Sequence, residues 1–184
     1  MSYRIPLHKR FVDAESGWCV RLNRICRGRP TRGFFAVVSR LGDGMFWYAL
    51  MAALVVLEGM AGLVASAHLA ATGAIALGLY KLLKRWTRRP RPFAADLGIR
   101  AWVAPLDEFS FPSGHTLHAV AFSVVAVAHV PWVAWLVLPF TACVAVSRVV
   151  LGLHYPSDVL AATIIGSALA GLSLWVVSPW LALA

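Results

Sequence analysis

Residues 116–147 read TLHAVAFSVVAVAHVPWVAWLVLPFTACVAVS, a run without a single Asp, Glu, Lys or Arg. A bilayer core of ~30 Å takes about 20 residues of helix, and Pro131 interrupts a helix interior. The run therefore divides into two spans, about 114–130 and 132–149. Outward toward the C-terminus, residues 159–184 carry no charge and read as a further span over about 157–177. Toward the N-terminus, residues 44–80 hold one charged residue, Glu58, inside a Glu-Gly-Met-Ala-Gly stretch. That pattern predicts two short spans, about 44–60 and 62–83, turning near residues 58–62. The expected fold class is all-α, a polytopic transmembrane helical bundle of about five spans. Composition agrees: the 184 residues are 60% apolar with a mean hydropathy of +0.73, against roughly 45–50% apolar in soluble domains.

Charge is unevenly distributed. Of 17 Lys and Arg residues, nine fall in residues 1–42, seven in 81–100, and the last is Arg148. In residues 1–42, Val12, Val20, Leu22, Ile25, Phe34, Phe35, Val37 and Val38 alternate with Arg21, Arg24, Arg27, Arg29, Arg32 and Arg40. A central Arg costs at least ~2.5 kcal/mol on insertion scales, so this segment is expected to lie on the membrane. A disordered basic tail is the alternative. The domain reading is a basic amphipathic membrane-surface arm over 1–42 and a transmembrane domain over 43–184. No apolar core of signal-peptide length is visible in the first 42 residues, so insertion is expected to use internal segments. Nucleic-acid binding would put the basic residues on a solvated, aromatic-interleaved face rather than pinned between apolar spans. Cys19, Cys26 and Cys143 follow no metal-ligand spacing and read as small hydrophobes.

The ends of the spans carry the chemistry. One apolar segment finishes at Lys84-Arg85-Trp86-Thr87-Arg88-Arg89-Pro90-Arg91-Pro92, one starts after Pro112-Ser113-Gly114-His115, one finishes at Ser147-Arg148, and the last starts near His154-Tyr155-Pro156-Ser157-Asp158. Span counting brings all of these to one membrane face. Lys84, Arg91 and Arg148 can supply fixed cations for a phosphate, with Arg suited to bidentate contact. Ser113 is an expected N-cap, and Gly114 lets backbone amides approach an anion at the helix start. His154 and Asp158 are four residues apart, which on a helix puts them on one face with the carboxylate holding the imidazole. An imidazole so held can attack phosphorus, and His115 can protonate the leaving oxygen and later activate water. Taken singly, a basic helix end is usually a cytoplasmic anchor and Pro-Ser-Gly a turn. Their conjunction at one face favours metal-free phosphate-ester cleavage. His68, His118 and His129 are expected to be helix residues without catalytic roles.

These stretches resemble the signature of the type 2 phosphatidic acid phosphatase family, shared with vanadium haloperoxidases and glucose-6-phosphatase. The matching positions are Lys84, Arg91 and Pro92; Pro112, Ser113, Gly114 and His115; and Ser147, Arg148, His154 and Asp158, all at agreeing spacing over roughly residues 44–177. The resemblance implies a helical bundle with the site at the mouth of its core helices. It makes His154 the nucleophile, Asp158 its partner and His115 the acid/base, with Lys84, Arg91, Ser113, Gly114 and Arg148 binding phosphate. No metal and no cofactor are implied. The haloperoxidase branch is soluble, which the apolar spans disfavour.

The expected activity is hydrolysis of a phosphate ester or diphosphate of a membrane lipid through a phosphohistidine. Phosphatidic acid, phosphatidylglycerophosphate and polyprenyl mono- or diphosphate all fit. Lipid phosphotransfer through the same intermediate, or a non-catalytic scaffold retaining the fold, are the rival readings. Expected partners are the phosphorylated lipid and the bilayer, without nucleic acid; the sequence assigns no oligomeric state. Six-span bacterial relatives usually carry another helix ahead of the arm, and this chain is read as lacking it. With all 17 Lys and Arg on the catalytic side, the positive-inside rule predicts that face to be cytoplasmic in a bacterial inner membrane.

Overall fold

The computed structural model describes residues 7–95 and 98–181. Among the described residues, seven α-helices form the fold: α1 Leu7–Asn23, α2 Arg29–Arg40, α3 Phe46–Glu58, α4 Met60–Thr87, α5 Gly114–His129, α6 Ala134–Val150 and α7 Pro156–Leu181. A 3-10 turn at Arg24–Arg27 joins the first two, and a π-helical turn at Leu41–Met45 joins α2 to α3. No strand occurs among the described residues. The helix breaks fall where the residues require them. Gly59 turns the chain at φ +58° between α3 and α4, a conformation that glycine adopts without the Cβ clash. Pro131 opens a 3-10 turn between α5 and α6.

This is a transmembrane helical bundle. The stretches Arg29–Glu58, Met60–Ala95, Pro131–Val150 and Pro156–Ser178 are long and apolar enough to cross a bilayer. The first begins at Arg29, ahead of the expected residue 44, but the chain kinks within it at Gly44, whose φ of +143° is not helical, so α2 and α3 are separate helices. Helix α5, expected as another span, has 16 residues, about 24 Å at 1.5 Å per residue, and packs among α4, α6 and α7. Its Leu117, Ala119, Ala121, Val125 and Ala126 are wholly buried.

Small residues set the approach of these helices, as packing within lipid favours. A Cβ on Gly62 would come within 1.9 Å of the Leu54 carbonyl oxygen, so α3 and α4 touch backbone to backbone near their shared turn. Gly166 of α7 faces the Leu117 carbonyl of α5, and Gly73 of α4 makes room for the Phe122 ring.

The N-terminal helices are bolted to one end of the bundle. Buried Asn23 donates to the carbonyls of Val150 (3.0 Å) and Arg100 (2.9 Å) and accepts from the Arg100 amide. Helix α2 packs on α6. The arm and the bundle thus share contacts around one end of the molecule, where α4 and α6 finish and α5 and α7 begin.

Candidate active site

Lys84 lies in the last turns of α4, which ends at Arg88 in the left-handed conformation, φ 47°. Pro90 then keeps the chain out of α-helix, Pro92 opens a 3-10 turn over Pro92–Ala95, and between them Arg91 is buried. One carboxylate oxygen of Asp107 accepts from both cations, 2.6 Å from Lys84 Nζ and 2.7 Å from an Arg91 terminal nitrogen. Burial alone would raise the Asp107 carboxyl, but hydrogen bonds and charge from Lys84 and Arg91 outweigh it and hold the group below its ordinary range. Arg91 also donates to the carbonyls of Asp107 (3.0 Å) and Leu153 (2.8 Å). Arg148 sits at the C-terminal end of α6, where the helix dipole favours a cation. It donates to Ser39 Oγ of α2 at 2.5 Å, while its buried Nε meets no acceptor among the described residues.

His154 is held by the chain that wraps around it. Its Nδ1 donates to the Ser110 carbonyl oxygen at 2.6 Å, and Ser110 is itself anchored to the backbone of Arg89 and Pro90. That bond fixes the tautomer with the lone pair on Nε2, 3.3 Å from Arg91 NH1. Burial, then the charges of Arg148, Arg91 and Lys84, push the imidazole well below its ordinary value, so it stays neutral.

The expectation that His154 and Asp158 share a helix face needs correction. Helix α7 begins at Pro156, so His154 precedes it and Asp158 lies in its first turn. Pro fits the first helical position because its missing N–H would be unpaired there. One Asp158 oxygen accepts from the Tyr155 amide at 2.9 Å and stands 3.7 Å from His154 Nδ1, beyond hydrogen-bond reach. The other accepts from Arg89 at 2.7 Å. Arg89 in turn pairs with buried Glu15 of α1, which also accepts from the Ser157 amide.

Ser113 caps α5 as expected, but weakly: its hydroxyl lies 3.5 Å from the Thr116 amide and 3.0 Å from the Thr116 hydroxyl. His115 follows in the first turn, and its Nε2 is hydrogen-bonded to the Asp43 carboxylate. Of the residues expected at the site, Lys84, Arg91, Gly114, His115, Arg148 and His154 line one cavity of about 410 Å³. Ser113 and Asp158 are buried behind its wall. Of the other histidines, His118 lies on the cavity wall, bonded to the Gly114 and Gly73 carbonyls. His68 and His129 bond each other away from it.

Asp43 and Asp107 line the cavity too and were not singled out from the sequence. The available signals were an acid between two glycines at the edge of an apolar run, and an acid in the loop that follows the basic cluster.

Fold and site together define a polytopic membrane protein with a cation-lined cavity at one end of its bundle. A family model described as the PAP2 superfamily matches residues 65–181, and the chain belongs to that family. A decaprenylphosphoryl-5-phosphoribose phosphatase of Mycolicibacterium smegmatis is 40% identical over 81 residues, covering 43% of this chain and 42% of that protein. An undecaprenyl-diphosphatase of Bacillus subtilis is 31% identical over 94 residues, covering 51% of this chain and 48% of that protein. The chain thus spans less than half the length of these curated relatives. Two solved structures share the fold at 24% identity and a TM-score of 0.71: a transmembrane PAP2 type phosphatidylglycerolphosphate phosphatase from Bacillus subtilis, over 89% of this chain and 84% of that one, and Aquifex aeolicus LpxE, over 84% and 91%.

Proposed function

We propose that this protein is an integral membrane lipid phosphatase that hydrolyses a lipid phosphate ester or diphosphate through a phosphohistidine at His154. The observation that carries this reading is the convergence of Lys84, Arg91, Arg148, His115 and His154 on one cavity. A phosphoryl transition state spreads negative charge over its equatorial oxygens, so fixed cations supply the largest catalytic effect. The buried Arg148 Nε supports the same reading, because an unpaired donor costs about 1–3 kcal/mol and an anionic oxygen would satisfy it. His154 Nε2 attacks phosphorus, the bond to the leaving oxygen breaks, and His115 gives that oxygen a proton. Water then attacks the phosphohistidine, surrenders a proton to His115, and free phosphate departs. Lys84, Arg91, Arg148 and the Ser113-Gly114 helix start hold the phosphate, and Asp158 supports the loop that carries His154.

The lipid would enter from the side. Beyond the cations, the cavity continues between α3 and α4 along Trp47, Met51, Ala70, Ala74 and Leu77. The two helices meet at Gly62 and diverge toward the site, leaving an apolar cleft for an acyl or prenyl chain. The relatives named above act on polyprenyl-linked phosphates and on phosphatidylglycerophosphate, and these, with phosphatidic acid, are the substrates proposed. Residues 1–42 are read as an arm at the membrane surface; its residues 1–6 lie outside the described residues, and the described part presents Trp18, Ile25, Phe34 and Val37 outward.

The test is phosphate release from a panel of these lipid phosphates by purified protein in detergent, with His154→Ala alongside. The variant is expected to lose turnover while keeping the wild-type Tm. Near wild-type release from His154→Ala would overturn the covalent mechanism.

A further inference from the structure

The cavity contains a carboxylate that the reaction as written does not use. Asp43 is delivered by the π-helical turn Leu41–Met45, between two glycines that each answer a local demand. Gly44 has φ +143°, and a Cβ there would also strike the Tyr48 ring at 2.9 Å. A Cβ on Gly42 would press Val144 at 3.2 Å and approach the His115 ring at 3.8 Å. The widened turn thus brings Asp43 against His115, one oxygen on the imidazole Nε2 and the other 3.4 Å from Arg40. Arg148, His118 and His154 line the same cavity as His115.

We infer that Asp43 is the positioning residue of His115, holding its Nε2 as the N–H donor so that Nδ1 exchanges protons with the reacting oxygens. The assignment rests on the proposed acid/base role of His115. In the first half-reaction the Nδ1 proton passes to the oxygen released as the P–O bond breaks. In the second, Nδ1 takes a proton from the water whose oxygen bonds to phosphorus as the N–P bond breaks. During the interval when the ring is an imidazolium, burial and the Arg148 charge both work against it, and the Asp43 carboxylate offsets part of that opposition. A carboxylate on the far nitrogen of a catalytic imidazole fixes tautomer and orientation in the same way in serine hydrolases.

General acid assistance matters in proportion to how poor the leaving group is. Asp43→Asn, Asp43→Ser and His115→Ala are therefore compared with wild type on a short-chain dialkylglycerol phosphate and on p-nitrophenyl phosphate, whose leaving group needs little protonation. For both Asp43 variants kcat/KM, which reports only the steps through release of the leaving group and not the shared hydrolysis of the phosphohistidine, is expected to fall about 100-fold on the alkyl ester and to stay within about threefold of wild type on the aryl ester. Vanadate inhibition should change little in either, since the cations are untouched. Equal loss on both substrates, no loss on either, or loss of vanadate inhibition in both Asp43 variants would overturn the assignment. If His115→Ala shows the leaving-group dependence and the Asp43 variants do not, the inference falls and the role of His115 stands. If His115→Ala does not show it, both fall.

Discussion

Asp107 engages two of the cavity's cations through a single oxygen, which is the geometry a phosphate oxygen would meet between Lys84 and Arg91. An arriving phosphate must share or displace that carboxylate. Asp107→Asn is expected to strengthen vanadate inhibition by about threefold to tenfold, the effect of removing roughly 1 kcal/mol of competing charge interaction at a half-exposed site. The same variant should lower Tm, because Lys84 and Arg91 lose their shared counter-ion. Unchanged inhibition would mean that Asp107 stands aside without cost when anions bind. The Ser110 carbonyl, rather than Asp158, holds His154 Nδ1. Asp158→Asn should therefore retain more turnover than His154→Ala, assayed side by side, and equal loss would make Asp158 indispensable. Activity is also expected to persist in excess chelator, since the cations already supply the positive field; loss restored by one divalent ion would contradict this. Asp43 and Asp107 were hard to read from sequence for one reason. Their partners lie 72 and 23 positions away, and only the folded chain brings them together.

Among the helices, the α3–α4 hairpin decides the shape of the cavity. Gly62 lets α3 and α4 meet at the Leu54 carbonyl, and the cleft opens from that pivot toward His154. Gly62→Ala cannot be accommodated without moving backbone, and overpacking of this kind costs about 1–3 kcal/mol. At Gly78 of the same helix an added Cβ would meet nothing within 4 Å, so Gly78→Ala should be neutral or stabilise by up to ~1 kcal/mol through helix propensity. Thermal denaturation in detergent distinguishes the two; similar Tm values would mean that the crossing relaxes freely. Helix ends marked by residues with a single physical option were legible beforehand, namely the Glu58–Gly62 turn and the Pro131 break. Two features were not. The kinked turn at Leu41–Met45 was signalled only by Gly42 and Gly44, and glycines alone do not tell a kink that carries Asp43 to His115 from an ordinary loop. The segment His154–Asp158 looked helical by spacing, but Pro156 starts α7 only after His154 has been placed.

For the molecule as a whole, charge sorts to one end. Helix α4 finishes among Lys84, Arg85, Arg88, Arg89 and Arg91, α6 finishes at Arg148, and the arm joins them through Asn23 and Glu15. The other end holds the Gly59 turn and the 3-10 turn at Pro131–Val133, where Glu58 accepts from the Trp132 indole. Lys and Arg near span ends are retained on the cytoplasmic side, so the catalytic end is expected to face the cytoplasm. Part of the charge is required by phosphate binding, but the nine Lys and Arg of residues 1–42 are not all so explained. The two ends of α4 give a direct measurement, because Met60 and Trp86 are both strongly exposed and lie on one helix of 28 residues, about 40 Å long. Single cysteines at these positions, with Cys19, Cys26 and Cys143 replaced, can be probed in intact cells with an impermeant thiol reagent after the outer envelope is made permeable. Met60→Cys should react and Trp86→Cys should react only after lysis. The reverse pattern would put the catalytic face outside, and reaction of both in intact cells would mean that α4 does not cross the bilayer.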